Sequence, residues 1–137
     1  MTIRFPIIIV LVCVILVSAC ASVPKDVPSD LSSSKIIQRA QEASDKNKYR
    51  LALGYYNLLL ERFPNNWDLK IAAEYEIAFI HYKKKRYEQA KKEFNSLLDY
   101  YSMPDAILFP QQFKILSGKL LTRIEELQTK RKRSKSK

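Results

Sequence analysis

The feature that most constrains this chain is a pattern of apolar residues that occurs twice, thirty-eight positions apart. The first copy, Tyr49, Ala52, Tyr56, Leu59, Leu60 and Phe63, matches the second copy, Tyr87, Ala90, Phe94, Leu97, Leu98 and Tyr101. The spacings of three, four and seven positions are those of one face of an α-helix. A small residue followed four positions later by an aromatic one lets two helices approach closely. The pattern therefore predicts a helix–turn–helix repeat.

Capping residues and prolines around the two copies indicate five helices. The predicted helices cover residues 35–46, 49–62, 67–84, 87–101 and 110–129. Ser34 and Asn66 are the expected N-caps of the first and third helices, and Pro64 ends the second because proline cannot continue helical hydrogen bonding. No stretch of the mature chain shows sustained strand alternation. The predicted fold class is all-α, built from helical hairpin repeats with a C-terminal capping helix over residues 35–129.

The N-terminal residues 1–19 have the pattern of a signal peptide. Residues 5–17 are a run of thirteen uncharged, mostly aliphatic residues, which is shorter than the roughly 18 needed to span a bilayer. The run leads into Val17-Ser18-Ala19-Cys20, which resembles a bacterial lipobox, so Cys20 is the predicted lipidation site and mature N-terminus. An uncleaved anchor or an ordinary signal peptide remains the alternative interpretation.

Cysteine usage agrees with export and lipidation. Cys13 lies inside the apolar run, and Cys20 is the only cysteine left in the predicted mature chain, so no disulfide is needed in an oxidising compartment. The covalent lipid on Cys20 is thus the only attached group that we expect, with no other cofactor. Residues 20–34, rich in serine and proline, read as a flexible tether. No acidic residue follows the lipid site directly, which resembles an outer-membrane, periplasm-facing destination.

The basic character of the chain is concentrated at its C-terminus. The formal net charge is +10, and six basic residues lie within residues 130–137. We expect this stretch to be a disordered, solvated tail. Two other interpretations are contact with anionic lipid headgroups and docking on an acidic partner. A nucleic-acid partner is not expected, because an exported lipoprotein does not normally meet nucleic acid.

The sequence shows no recognisable set of catalytic residues, so we expect a binding protein and not an enzyme. His81 is the single histidine and has no second metal ligand at a suitable spacing. Glu74 and Glu76 are two positions apart and therefore point to different helix faces. The two glycines cannot form a phosphate-binding loop, and no nucleophile–base pair is visible.

Aromatic residues are the candidates for partner recognition. The chain has eight tyrosines and six phenylalanines, which is many for 137 residues. Most are expected to fill the repeat core. A few are expected to line a groove on the concave face of the stacked helices, where a partner segment would bind. These candidate partner-binding residues are Tyr55, Tyr75, His81 and Tyr82.

The repeated pattern resembles the tetratricopeptide repeat. In that family the second helix of a repeat carries an alanine, an aromatic residue four positions later and often a terminal proline. Here these are Ala52, Tyr56 and Pro64 in one copy, and Ala90 and Phe94 in the other. Ala40 and Ala78 stand at the small position of the first helix. The chain departs from the family at Ile36 and Glu74, where a tryptophan-like residue is usual, and its thirty-eight-residue spacing exceeds the usual thirty-four.

The longer spacing, the Arg62–Asn66 stretch "RFPNN", the tyrosine-rich helices and the lipobox together resemble the BamD lipoproteins of the outer-membrane β-barrel assembly machine. Those proteins carry five repeats, whereas this chain has two and a final helix. The resemblance implies a membrane-anchored scaffold whose partner is the barrel-forming subunit of that machine. The alternatives are a stand-alone adaptor for cell-wall or division proteins and a surface-exposed, ligand-binding lipoprotein.

Overall fold

The computed structural model describes residues 27–135, and these residues fold into five α-helices with short connections. The helices are α1 (Ser33–Asp45), α2 (Tyr49–Arg62), α3 (Trp67–Lys83), α4 (Tyr87–Asp99) and α5 (Gln111–Lys135). Two 3₁₀ turns, Tyr100–Ser102 and Pro104–Leu108, join α4 to α5. No strand occurs within residues 27–135, which confirms the predicted all-α class. The predicted signal peptide and residues 20–26 of the predicted tether, Cys20 among them, lie outside the described residues. The remaining tether residues, 27–34, belong to the folded part of the chain: Val27 and Leu31 pack against buried apolar residues, and Ser33 and Ser34 are part of α1.

Side-chain caps mark the starts of α1 and α3. Asn66 caps α3 as predicted, because its Oδ1 accepts a hydrogen bond from the Leu69 amide at 3.0 Å. The prediction for α1 was two residues late: Ser32, not Ser34, is the N-cap, and its Oγ accepts from the Lys35 amide at 3.4 Å. Ser34 lies within the first turn of the helix.

Helices α1 and α2 form the first hairpin, and α3 and α4 form the second. The turns inside these two hairpins have the same conformation. Asn47 and Lys85, which are thirty-eight positions apart, both have left-handed backbones with φ of 55° and 59°. In each turn the following amide reaches back to close the helix: Lys48 donates to the Ala43 carbonyl at 2.8 Å, and Arg86 donates to the His81 carbonyl at 3.0 Å. These are the bonds of a Schellman-type helix end, so the repeat extends from the sequence pattern to the turn geometry.

The matched apolar positions form two cores. Ala52, Tyr56 and Leu59 are buried in the first hairpin, and their partners Ala90, Phe94 and Leu97 are buried in the second. The small residues Ala40 and Ala78 are also fully buried, as close helix packing requires. The pattern that defined the repeat therefore corresponds to the residues that hold each hairpin together.

Helix α3 is shared between the two cores. Ala73 and Ile80 are buried against the first hairpin, whereas Ile71, Tyr75 and Ala78 are buried on the side of α4 and α5. Helix α5 then packs on α4 and α3, as α3 packs on α2. Its Ser117 and Ile124 are fully buried at that contact.

Helix α5 is longer than predicted. The sequence prediction ended this helix at residue 129 and assigned a disordered tail to residues 130–137, but the helix continues through Lys135. Lysine and arginine are good helix formers, so a basic run that follows an established helix can extend it. The predicted disordered tail is therefore wrong for residues 130–135.

The hairpin topology gives the molecule two ends of different character. At one end lie the described N-terminal residues, the α2–α3 turn at residues 63–66 and the α4–α5 connection at residues 100–110, which we call the apolar end. The Arg62 guanidinium fixes the N-terminal segment there, donating to the Pro28 carbonyl at 2.8 Å and the Val27 carbonyl at 3.2 Å. At the other end lie the α3–α4 turn at residues 84–86 and the last turns of α5 at residues 130–135, which we call the basic end.

Candidate binding surfaces

Tyr75 does not line a partner groove. It is only 7% exposed, and its ring lies 5.8 Å from that of Phe94 and 5.1 Å from that of Phe113 on α5. Burial raises the pKa of the Tyr75 hydroxyl above its ordinary value. The predicted concave groove was wrong at this residue because α5 covers it.

His81 is also buried, at 6% exposure, and has an internal partner. Its Nδ1 donates to the Glu93 Oε2 at 2.6 Å, which links α3 to α4 across the second hairpin. A buried histidine whose ring nitrogen holds a carboxylate on the neighbouring helix serves packing, so the prediction of a partner contact is corrected here as well.

The remaining two candidates are half-buried and lie on different parts of the molecule. Tyr82 stacks on Phe79 with ring centroids 6.0 Å apart and lies 5.9 Å from the Tyr87 ring, within the core shared with α5. Tyr55 lines a shallow hollow of about 200 Å³ on the first hairpin, together with Arg39 and Glu42. The four predicted residues therefore do not form one surface.

A cleft at the basic end was not foreseen from the sequence. It has a volume of about 280 Å³ between the start of α4 and the end of α5. Tyr87 and Leu127 give it apolar lining. Its basic lining residues are Lys85, Arg131, Lys132 and Lys135.

Polar contacts between α4 and α5 position this cleft. Lys91 donates to Glu125 at 3.1 Å, and one turn nearer the basic end the Gln128 amide donates to Glu88 at 2.7 Å. These contacts hold the last turns of α5 beside the α3–α4 turn. The sequence does contain a signal, namely basic runs at residues 83–86 and 130–137, but only the packing of α5 on α4 brings the two runs together.

Helices α3 and α4 form a third concave surface on the second hairpin. A groove of about 380 Å³ is lined by Glu74, Ile77, Glu93 and Tyr100, among others. Burial raises the pKa of Glu74, against the opposing effects of the Tyr100 hydrogen bond and nearby Lys70. Burial and the Glu74 carboxylate together raise the pKa of Tyr100 to about 12. The Tyr100 hydroxyl therefore stays protonated and donates to Glu74 at 3.1 Å.

A polar cluster lies where the first hairpin meets α3. Lys83 reaches across to donate to the buried Ser44 Oγ at 2.9 Å. Burial raises the pKa of Glu76, with Lys83 opposing and Asp45 adding to the shift. The hydroxyl of Tyr56 is buried and finds no hydrogen-bond partner within the described part of the chain. Burial of the Tyr56 hydroxyl, together with the nearby carboxylates of Glu76 and Asp45, raises the Tyr56 pKa well above the ordinary value for tyrosine.

Between residues 27 and 135, no helix is both long and apolar enough to cross a membrane. The same residues hold no cluster of three side chains suited to bind a metal ion.

The chain is similar in sequence to a known bacterial protein. A protein of Treponema pallidum (strain Nichols), described as "Uncharacterized protein", is 34% identical over 109 residues. The aligned stretch is 78% of this chain but 44% of the relative, so the chain spans less than half of the relative's length. No protein-family model matches the chain, and no solved structure matches it significantly. The relationship therefore concerns a stretch of sequence and carries no activity or partner with it.

Proposed function

We propose that the protein is a membrane-anchored adaptor lipoprotein that works by binding a partner protein and catalyses no reaction. The lipobox-like residues 17–20 support a lipid anchor on Cys20, in the outer membrane and facing the periplasm. The two stacked hairpins support a binding role, because helical repeats commonly present surfaces to other proteins. The resemblance to the BamD lipoproteins suggests the barrel-forming subunit of the β-barrel assembly machine as the partner.

The observation that carries this proposal is the cleft at the basic end. Its apolar lining from Tyr87 and Leu127 suits a buried anchor side chain of a partner, and its basic lining suits acidic residues beside that anchor. Charges around an apolar centre give specificity and faster association. An acidic, apolar segment of a periplasmic domain is therefore the kind of ligand that fits.

The test is an affinity pull-down of the full chain from detergent-solubilised envelope. The variant Arg131→Glu/Lys132→Glu reverses two charges in the cleft, and Lys46→Glu/Arg50→Glu makes the same change in charge on the first hairpin, where both residues are exposed. We expect the wild type and the control to recover a large barrel protein. The cleft variant is expected to lose about tenfold or more of it, since 1.4 kcal/mol is a factor of ten in affinity.

The outcomes separate the partner from the surface. Recovery of division or wall-synthesis proteins without a barrel protein would overturn the assembly assignment and favour the stand-alone adaptor. Recovery of the barrel protein in equal amounts by the cleft variant would show that another surface binds it. Digestion of the protein by protease on intact cells would contradict the periplasm-facing orientation.

A further inference from the structure

The apolar end carries an exposed hydrophobic patch that the proposed partner binding does not use. Ile107 and Leu108 are 82% and 77% exposed, and beside them Trp67 and Met103 are 39% and 40% exposed. Trp67, Met103 and Leu108 line one hollow of about 590 Å³ together with the α2–α3 turn. Large apolar side chains grouped in this way at one end of a small protein mark an interaction surface.

The patch is held rigidly from beneath. The buried ring of Phe109 stacks under Trp67 with centroids 5.1 Å apart, and Tyr100 meets Trp67 edge-on at 5.3 Å. Phe109, which directly follows Ile107 and Leu108 in the chain, thus anchors their turn beside Trp67. The 3₁₀ turn that presents Ile107 and Leu108 is part of the folded structure and not a loose loop.

Three backbone carbonyls of this segment accept hydrogen bonds from side chains. The Gln111 side chain donates to the Ala106 carbonyl at 2.7 Å and to the Phe109 carbonyl at 2.9 Å. The Tyr101 hydroxyl donates to the Pro110 carbonyl at 2.7 Å. Internal partners for backbone carbonyls are what a segment needs when its surroundings offer few hydrogen-bond donors, as near a bilayer.

The path of the chain places the predicted lipid anchor near this surface. Arg62 holds the backbone of Val27 and Pro28 beside the α2–α3 turn, whose Asn65 and Asn66 line the same hollow. The predicted lipid site, Cys20, precedes Val27 by seven residues, which can span at most about 25 Å. A membrane held at Cys20 is therefore within reach of this end of the molecule.

The charges around the patch match a lipid headgroup layer. Lys70 lies over the rings of Trp67 and Tyr100 at 4.8 Å and 4.9 Å, and Lys114 lies 5.7 Å from the Tyr101 ring. Asp68 and Asp105, also at the rim of the hollow, oppose these two lysines in sign. Aromatic rings flanked by lysine are typical of the membrane–water interface, and the mixed charges indicate that anionic lipid is not required.

The geometry points to the apolar end as a second membrane contact, with Ile107 and Leu108 below the headgroups of a bilayer and Trp67 at their level. Helix α5 starts at this end and has 25 residues, so it carries the basic end about 37 Å away along its axis. The basic cleft thus faces away from the membrane. The interpretation of residues 130–137 as a headgroup contact does not fit this orientation.

Trp67 is the single tryptophan of the chain and reports on this contact directly. The full chain is reconstituted into phosphatidylcholine vesicles that carry bromine either near the headgroups or deep in the acyl chains. Because tryptophan settles at headgroup level, shallow bromine is expected to quench roughly half of the emission and deep bromine clearly less. The variant Ile107→Ser/Leu108→Ser is expected to lose most of this quenching while flotation shows it still attached to the vesicles.

A matched control and a mass measurement make the result decisive. Leu51→Ser removes an exposed leucine from the start of α2, at the opposite end of the first hairpin, and should leave the quenching unchanged. Unquenched wild-type Trp67 in vesicle-bound protein would overturn the inference, and so would equal quenching in the double variant. A wild-type mass of two copies that falls to one copy in Ile107→Ser/Leu108→Ser would assign the patch to self-association instead. The readout needs no protein partner, so it does not depend on the outcome of the pull-down.

Discussion

The first and second hairpins have the same backbone arrangement, but the side chains at matched positions differ in polarity. Ala43 and Tyr55 of the first hairpin correspond to His81 and Glu93 of the second, thirty-eight positions later. Ala43 and Tyr55 line a shallow hollow, whereas His81 and Glu93 are joined by a hydrogen bond. Where the first hairpin buries Ile36, the second has Glu74, which accepts a hydrogen bond from Tyr100. The polar residues of the second hairpin thus come with cross-helix partners.

The repeat therefore constrains the shape of the matched side chains more strongly than their polarity. The small residues Ala40, Ala52, Ala78 and Ala90 are kept at the closest contacts, because any larger side chain there would push the helices apart. At the looser positions a polar residue is tolerated when the facing helix supplies its partner. Within the two hairpins the exception is Tyr56, whose buried hydroxyl, like that of Ser117 on α5, lacks a partner among the described residues.

The exchange of Tyr56 and Phe94 tests that exception and has the largest expected effect. Phe94→Tyr places a hydroxyl in a fully buried site and should lower the free energy of unfolding by about 1–3 kcal/mol. Tyr56→Phe removes an unpaired buried hydroxyl and should raise it by up to about 1 kcal/mol. Urea denaturation with unchanged slopes measures both. Destabilisation by Tyr56→Phe would mean that the hydroxyl has a stabilising partner.

The two left-handed turns provide the second comparison. At φ 59° the Cβ of Lys85 lies too close to the backbone, which costs about 1–2 kcal/mol relative to a right-handed conformation. Asparagine, the residue at the matched position 47, tolerates this region better. Lys85→Gly should therefore raise the unfolding free energy by about 1 kcal/mol, after the larger unfolded-state entropy of glycine is allowed for. Asn47→Gly should change it much less. Lys85→Ala removes the same charge but keeps the Cβ, so a gain from Lys85→Ala would contradict the backbone explanation.

Glu74 provides the third comparison, through the pH dependence of stability. A carboxyl whose pKa is raised in the fold holds its proton more tightly there, so its contribution is favourable below its unfolded value of 4.5 and is lost as the pH rises through the raised pKa. Glu74→Gln should therefore stabilise the protein at pH 7 but not at pH 4. The gain should be less than about 1 kcal/mol because the side chain is partly exposed and screened.

Thermal unfolding at the two pH values measures this effect. Glu61→Gln, an exposed change on α2, is the matched control. Equal effects of Glu74→Gln at pH 4 and pH 7 would rule out the raised pKa as the cause. The pKa of Glu76 is also raised by burial. The stability of the Glu74→Gln variant should therefore still fall with rising pH, though less steeply than that of the wild type.

The helices were predictable because their signals are local. The periodicity around Ala52 and Ala90 gave α2 its bounds and the start of α4, and the cap at Asn66 marked the start of α3. The surfaces were not predictable, because they depend on where α5 docks. Its eleven-residue connection from α4 leaves its path undetermined by sequence, and that path decides that Tyr75 is buried and that the basic cleft exists.

The exposed patch was missed for a related reason. In sequence, Ile107 and Leu108 look like ordinary core residues, and their neighbour Phe109 is indeed buried. A short apolar run carries no signal for which of its members turn inward, since a 3₁₀ turn points successive side chains in different directions. Only the tertiary structure separates them.

The main contacts between helices join elements that are neighbours or next neighbours along the chain. Proteins dominated by such local contacts have low contact order and fold in about microseconds to milliseconds. Each hairpin can close before the residues of the next one are available. A chain that leaves a ribosome or a translocation pore with its N-terminus first can thus assemble progressively, and α5 completes the structure when it docks last.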